Sequence, residues 1–521
     1  MSSWSPVKAM SSRSPTISSL AKPWSPVERR NGHEYATTWA LLLILFLGVM
    51  LDIFQDTRSS AHLCLIAASL IAMFSFSGLT AGRDLIDLRL TAPKRLYGLF
   101  FALFYATELW FYATDRSRSQ DHDLLLAVIV IVAYAGWYIG MSLVERRAHV
   151  LARAPQFERR QSWALLKLCI FGALCVVVHF WWRLSIGQFY THAHYYEQAL
   201  TPADSILQNF CGPFEFPVIL LSGLITASRD RRVANLSRYF AYTYTTAFVV
   251  TEILASEFRN SLLAMVFLAA AMQTAGTLKI RWRHLILATI VAVFGMVAVE
   301  GTRVAVTYSI PGAENQLVQS AASMGAGLQL FLGSGSAVAK NATAARAADP
   351  MGFLTEIIDA FDRGKPHLYG QIELNSLYMF IPRLFWTSKP KVESSQILIE
   401  RALGLTEVDA SPNPALFFYA DAGIVGVFTL LLCFGALFAA LSRFAVTQGS
   451  VFAWMWIVWI WSVVANVETD MVLGILSATR HLLTSYCFYL IFYTFTSIQP
   501  SAHGRADQLK AAPLYPPKGR G

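Results

Sequence analysis

From about residue 37 onward the sequence keeps returning to apolar runs long enough to cross a bilayer. They lie near 37–54, 61–79, 96–114, 124–144, 164–183, 213–228, 237–254, 259–275, 284–300, 414–441, 450–467 and 473–497. A helix of roughly 20 apolar residues covers the ~30 Å hydrocarbon core. In lipid the backbone must satisfy its own hydrogen bonds, so unbroken runs of this length predict helices. The pattern therefore predicts an all-α polytopic membrane protein with about twelve transmembrane helices. Composition agrees: 55% of the residues are hydrophobic and only 14% are charged, which does not suit a soluble chain of this length.

The cations sort into alternate loops. One set holds Arg83, Arg89, Lys94 and Arg95, then Arg146 to Arg160, then Arg229 to Arg238, then Lys279, Arg281 and Arg283. The basic amino-terminal tail and the tail carrying Arg505 to Arg520 belong with them. Cytoplasmic loops collect Lys and Arg, so both termini are expected in the cytoplasm of a bacterial inner membrane, in parity with twelve spans. The net charge of +9 is then a topology signal, and nucleic acid is not an expected partner. The organisation predicted is a disordered tail over 1–36, rich in Ser and Pro, and helices one to nine over 37–300. A long periplasmic loop containing short helices follows over 301–413, then helices ten to twelve over 414–497 and a disordered tail over 498–521. The run 349–365, with Met351, Phe353, Leu354, Ile357, Ile358 and Phe361 on one side, predicts an amphipathic helix on the membrane surface.

No phosphate-binding glycine loop or dinucleotide fingerprint occurs, so ATP-driven transport and nucleotide-sugar chemistry have no support. The six cysteines lack metal-ligand spacing and read as small buried hydrophobes. His192 and His194 have no third ligand at a recognisable spacing, and an aromatic interfacial loop explains them better than a metal. No cofactor is expected.

Ionisable residues at membrane depth are costly, about 2.5–3.5 kcal/mol for a central Arg on insertion scales, so their positions carry information. Here they gather at the outer ends of helices: Glu108, Glu215, Glu252, Glu257, Arg259, Glu300, Arg303, Glu468, Asp470 and Arg480. Glu257-Phe258-Arg259-Asn260-Ser261 is the whole connection between two apolar runs. Such a tight turn holds a guanidinium at the bilayer surface, ready to fork onto phosphate oxygens or to pair with Glu252 or Glu257. Arg303 has Glu300 as its alternative partner, and Arg480 has Asp470. The long loop closes with Tyr378 to Lys391, YMFIPRLFWTSKPK, in which two prolines bracket Arg383, Trp386 and Lys389. Two cations, two fixed turns and an aromatic anchor suit an anionic lipid headgroup, and equally an interfacial turn.

SEFRNSLL, then EGTRVA after the next helix, then IPRLFWTSKP at the end of the long loop, then FFYADAGIVGVF entering a helix form a series. Over about 250–500 this series resembles the Wzy-type bacterial polymerases of O-antigen and exopolysaccharide repeat units. The resemblance implies a GT-C-like glycosyltransferase of the inner membrane acting on undecaprenyl-diphosphate-linked glycans. It implies that Arg259, Arg303 and Arg383 bind diphosphate with Lys389 assisting. Glu252, Glu257 and Asp421 are the candidate general bases. Trp386 and Tyr419 stack on sugar rings or anchor at the interface. A polysaccharide chain-length regulator is the protein partner it suggests. Two alternatives stand beside it: an O-antigen ligase, whose motif would need a loop histidine where this chain has only His367, and a transporter of lipid-linked oligosaccharide.

Overall fold

The computed structural model describes residues 61–82, 85–114, 122–145, 154–185, 207, 210–254, 258–281, 283–284, 351–380, 395–405, 413–464 and 471–498. They are mostly helical. In chain order the helices are α1 (Ala61–Leu79), α2 (Pro93–Phe101), α3 (Thr107–Thr114), α4 (Asp123–Glu145), α5 (Arg159–Ser185), α6 (Glu215–Ile225), α7 (Arg231–Leu254) and α8 (Phe258–Thr274). They continue as α9 (351–362), α10 (Gln371–Phe380), α11 (Ser395–Leu403), α12 (Pro414–Gln448), α13 (Val451–Val464) and α14 (Met471–Ile498). A π-helical turn, Ala102–Ala106, joins α2 to α3.

Every apolar run that falls within the described residues is helical; the runs at 37–54 and 284–300 lie outside them. Three of these helices, α4, α5 and α12, are long and apolar enough to cross a membrane. Apolar stretches of α1, α6, α8 and α13 are shorter. Helix α6 shows why length matters. Its 11 residues rise only about 16 Å, and every residue from Phe216 to Ile225 is buried. A helix that is apolar all round belongs in the interior, so α6 is a core element of the bundle.

One feature amends the all-α expectation. β1 (Thr80–Gly82), β2 (Leu85–Ile86) and β3 (Ile280–Arg281) form a small antiparallel sheet in the order β1-β2-β3. Leu85 pairs with Arg281 and Ile86 with Ile280. Strands of two or three residues leave no alternation to read in sequence. The side chains at the end of α8 hold the sheet in place: Gln273 Oε1 accepts from Leu88 N at 2.6 Å, and Thr274 Oγ1 from Leu90 N at 2.9 Å. Beside the sheet, buried Asp87 pairs with Arg89 at 2.8 Å and with Arg95. Two loops expected on the same side of the membrane thus meet.

The tightest helix contact joins α4 to α12, running parallel. Gly136 faces the Phe428 carbonyl, Gly140 the Leu432 carbonyl and Gly435 the Trp137 carbonyl. A Cβ at Gly136 would come to 2.7 Å of its neighbour and one at Gly435 to 2.5 Å. Small residues four apart let backbones approach this closely in membrane helices. Helix α12 has clear ends: Asn413 Oδ1 caps Leu416 N at 2.9 Å, Pro414 opens the first turn, and Gly449 closes it in the left-handed region.

Helix α9 departs from the expected surface position. Met351, Phe353, Leu354, Ile357 and Ile358 are all buried by the protein itself. Thr355 Oγ1 meets Tyr112 Oη at 3.1 Å, and His122 Nε2 meets Asp359 Oδ1 at 2.6 Å. Phe361 packs on Tyr419 of α12 at 5.8 Å, so the stripe is covered by the protein and not by lipid.

Gly140→Val and Gly435→Val are expected to cost about 1–3 kcal/mol each through overpacking, lowering the melting temperature of the detergent-solubilised protein. Val425→Ala, at a side chain 74% exposed, should change it little. Burial pushes the Asp87 carboxyl up, but the hydrogen bonds and charge of Arg89, with the charge of Arg95, outweigh this and hold it below the usual carboxylate range. The pair's contribution is therefore present above about pH 4 and lost as pH falls through the lowered pKa. Acid titration of thermal stability should show this loss in the natural protein and not in Asp87→Asn.

Candidate functional site

One group of polar residues inside the bundle lies where α5, α6, α7 and α8 end or begin, away from the sheet. His179 and Arg183 lie one turn apart on α5, on one face. His179 Nδ1 meets Glu215 Oε1 at 2.9 Å. Arg183 Nη1 donates to Glu252 Oε1 at 3.0 Å, and Asn260 Nδ2 donates to Glu252 Oε2 at 2.7 Å. Tyr244 Oη donates to the Glu215 carbonyl at 3.3 Å. The Arg183 and Glu252 side chains are 7% and 0% exposed.

This geometry revises what Glu252 is offered. Its described cationic partner is Arg183, at the end of α5 and separated by α6 and α7 from Arg259, the nearest cation singled out in the sequence. Arg183 was legible only as one cation near the end of an apolar run, in WWRLS, the position of a buried functional or paired charge. A general base needs a lone pair aimed at the proton it takes. Both oxygens of Glu252 are engaged, which fits an anchor between α5, α7 and α8. Arg259 stands in the first turn of α8, beside Asn260; its side chain lies outside the described residues. Glu257, Arg303, Arg383, Trp386 and Lys389 lie outside them too.

The second group surrounds a break in α12. Ala422 (φ −145°, ψ 21°) and Gly423 (φ 63°, ψ −158°) interrupt the helix. Gly423 occupies a region that only glycine adopts readily. The carbonyls of Ala420 and Asp421 accept from Leu368 N at 3.1 Å and Tyr369 N at 2.8 Å. Asp421 is 1% exposed; its Oδ1 lies 3.5 Å from Ile372 N, placing a carboxylate at the start of α10, where the helix dipole favours it. Tyr419 is buried in an aromatic group, edge-on to His367 at 6.2 Å and tilted on Phe361 at 5.8 Å. Its ring is packed by the protein's own side chains, as an anchor would be. The His367 ring also approaches Gly423, where a Cβ would lie 3.4 Å from it.

Helix α10 packs on both α12 and α14, and α14 packs on α5, so the two groups flank one set of helices. Arg480 of α14 sits beside His481, Nη2 to Nε2 at 3.3 Å; Asp470, its expected partner, lies outside the described residues. Among the described residues, no three His, Cys, Asp or Glu side chains are grouped to hold a metal ion.

Residues 351–452 match a family model described as a domain of unknown function, DUF8712. The matched stretch runs from α9 through α12 into the start of α13, and so contains the α12 break and everything described around it. No curated protein matches the chain, and no solved structure does.

Removing one member of a buried ion pair leaves an uncompensated charge, at a cost of about 3–5 kcal/mol. Glu252→Leu and Arg183→Met should each sharply reduce the melting temperature and yield of the purified protein. The double variant should recover most of the loss.

Proposed function

We propose that this chain joins polyprenyl-diphosphate-linked oligosaccharide units into a polysaccharide at the outer face of a bacterial inner membrane. The reading rests on the series of motifs in the sequence. The observation that carries it furthest is the gathering of buried ionic side chains at one end of α5–α8, next to the Arg259 turn and away from the sheet with its basic loops. On the positive-inside rule that end faces outward, where nucleotides are absent and lipid diphosphates are presented.

In the proposed reaction the hydroxyl of a lipid-linked unit attacks the anomeric carbon of the lipid-linked chain. The new glycosidic bond forms as the bond from that carbon to diphosphate oxygen breaks, and lipid diphosphate leaves with the electron pair. A carboxylate takes the hydroxyl proton; Asp421 and Glu257 are the remaining candidates once Glu252 is assigned to Arg183. Arg259, Arg303, Arg383 and Lys389 supply positive charge where the leaving group's charge develops. The Arg183–Glu252–Asn260 network supports this reading by fixing the start of α8, and with it the backbone of Arg259.

A second reading, transport of the lipid-linked glycan, has one observation in its favour: the break in α12, since interrupted membrane helices are common in transporters. Polymer length on a gel tests the first reading. Arg259→Ala and Arg383→Ala, each accumulating normally in the membrane, should leave single units and short chains. Full-length polymer from both variants would remove the reading. Flux of labelled lipid-linked oligosaccharide across liposomes containing the purified protein, with no chain growth, would establish the second.

A further inference from the structure

A cavity of about 140 Å³ opens between the start of α6, α13 and α14. Phe210, Phe214 and Trp459 form its apolar walls, and Arg480, His481, Thr484 and Ser485 its polar side. Arg480 lies about 14 Å along α14 from Met471 at 1.5 Å per residue, well inside the helix. A charge in such a position usually faces the bundle interior or a cavity and marks a functional site.

On the polar side of the cavity the donors are the Arg480 guanidinium and the Ser485 hydroxyl, since Thr484 Oγ1 donates back to the Arg480 carbonyl at 3.2 Å. The guanidinium cannot lose its proton, and among the described residues no carboxylate pairs with it. Because Arg480 Nη2 must donate, His481 Nε2 accepts at 3.3 Å, and the imidazole lends no negative charge. Ser485 is 1% exposed and Trp459 2%; neither Ser485 Oγ nor Trp459 Nε1 has a hydrogen-bond partner. A buried donor left without a partner costs about 1–3 kcal/mol. Among the described residues, two donors without a partner and a guanidinium without a carboxylate, drawn from two helices, thus line one volume.

We propose that this cavity binds a single phosphate group carried on a lipid, with Arg480 as its charge partner and Ser485 and Trp459 as further donors. A guanidinium fork matches phosphate oxygens bidentately, and the other oxygens answer the remaining donors; a carboxylate offers only two. The size agrees, because an engineered cavity of about 150 Å³ holds one benzene, so this one admits one small group and excludes a whole sugar diphosphate. The aromatic walls accept the first carbons of an ester. The site stands independently of the polymerase reading.

The test uses the full-length protein in phosphatidylcholine nanodiscs containing phosphatidic acid. Native mass spectrometry reads how much phosphatidic acid stays bound after mild release. The natural protein should retain one molecule of it, Arg480→Gln about tenfold less or lower still, and Ser485→Ala several-fold less. Arg480→Lys, which keeps the charge and loses the fork, should fall between. Arg232→Gln, at an exposed cation on the first turn of α7, should match the natural protein. Displacement by inorganic phosphate would show that the group alone is read; persistence against it would show that the lipid ester is required. Retention that is the same in the natural protein, Arg480→Gln and Ser485→Ala overturns the proposal, as does no retention by the natural protein, which would mean that the cavity holds water only. If Arg480→Gln does not purify as a single species, Arg480→Lys and Ser485→Ala decide: binding equal to the natural protein in both overturns it.

Discussion

The approach of α4 to α12 is the constraint on which the arrangement depends. Lipid tails are as apolar as leucine side chains, so burial in a membrane gives helices little reason to associate; close packing must supply it. Gly136, Gly140 and Gly435 allow that packing by letting backbone meet backbone. Helix α12 carries the break at Ala422–Gly423, and the break in turn receives Leu368 and Tyr369 and fixes α10. The segment over 351–452 is therefore seated on the rest of the chain through one pair of parallel helices, the packing of α10 on α14, and the contacts of α9 with Tyr112 and His122.

The distribution of charge divides the described residues into two ends. At one, Asp87 gathers Arg89 and Arg95 beside the small sheet, and Arg159 meets Asp230 at 3.1 Å. At the other, Arg183, Glu252, His179 and Glu215 form pairs that are buried or nearly so. The first group is partly solvated, with Arg89 and Arg95 side chains 37% exposed and that of Arg159 77%, and contributes mostly to local order. The second has no water to fall back on, so each charge depends on its partner.

Helix positions were legible because a run of apolar residues constrains the backbone locally. The runs at 61–79, 124–144 and 414–441 coincide closely with α1, α4 and α12. Partnerships were less legible. The sequence offers Glu252 as a candidate base or as a partner for Arg259, because proximity along the chain is its only guide, whereas its described partner Arg183 stands on α5. The amphipathic stripe of 351–362 was correct as a pattern, but a stripe does not say whether lipid or protein covers it. Of the stretch Glu257 to Ser261, expected as a connection, Phe258 to Ser261 are already helical in α8. The prolines and cations of Tyr378 to Lys391 mostly lie outside the described residues, so their role rests on the motif alone.

The Arg183–Glu252 pair also bears on how the chain is made. The two residues are 69 positions apart. At about 5–20 residues per second, Glu252 is synthesised roughly 3–14 seconds after Arg183. During that interval the guanidinium lacks the carboxylate it will finally hold. Helix α5 must therefore wait at the insertion machinery, or with its charged end in the headgroup layer, until α7 arrives. Assembly of the bundle is ordered in time by this pair, which closes only once α7 has followed α5.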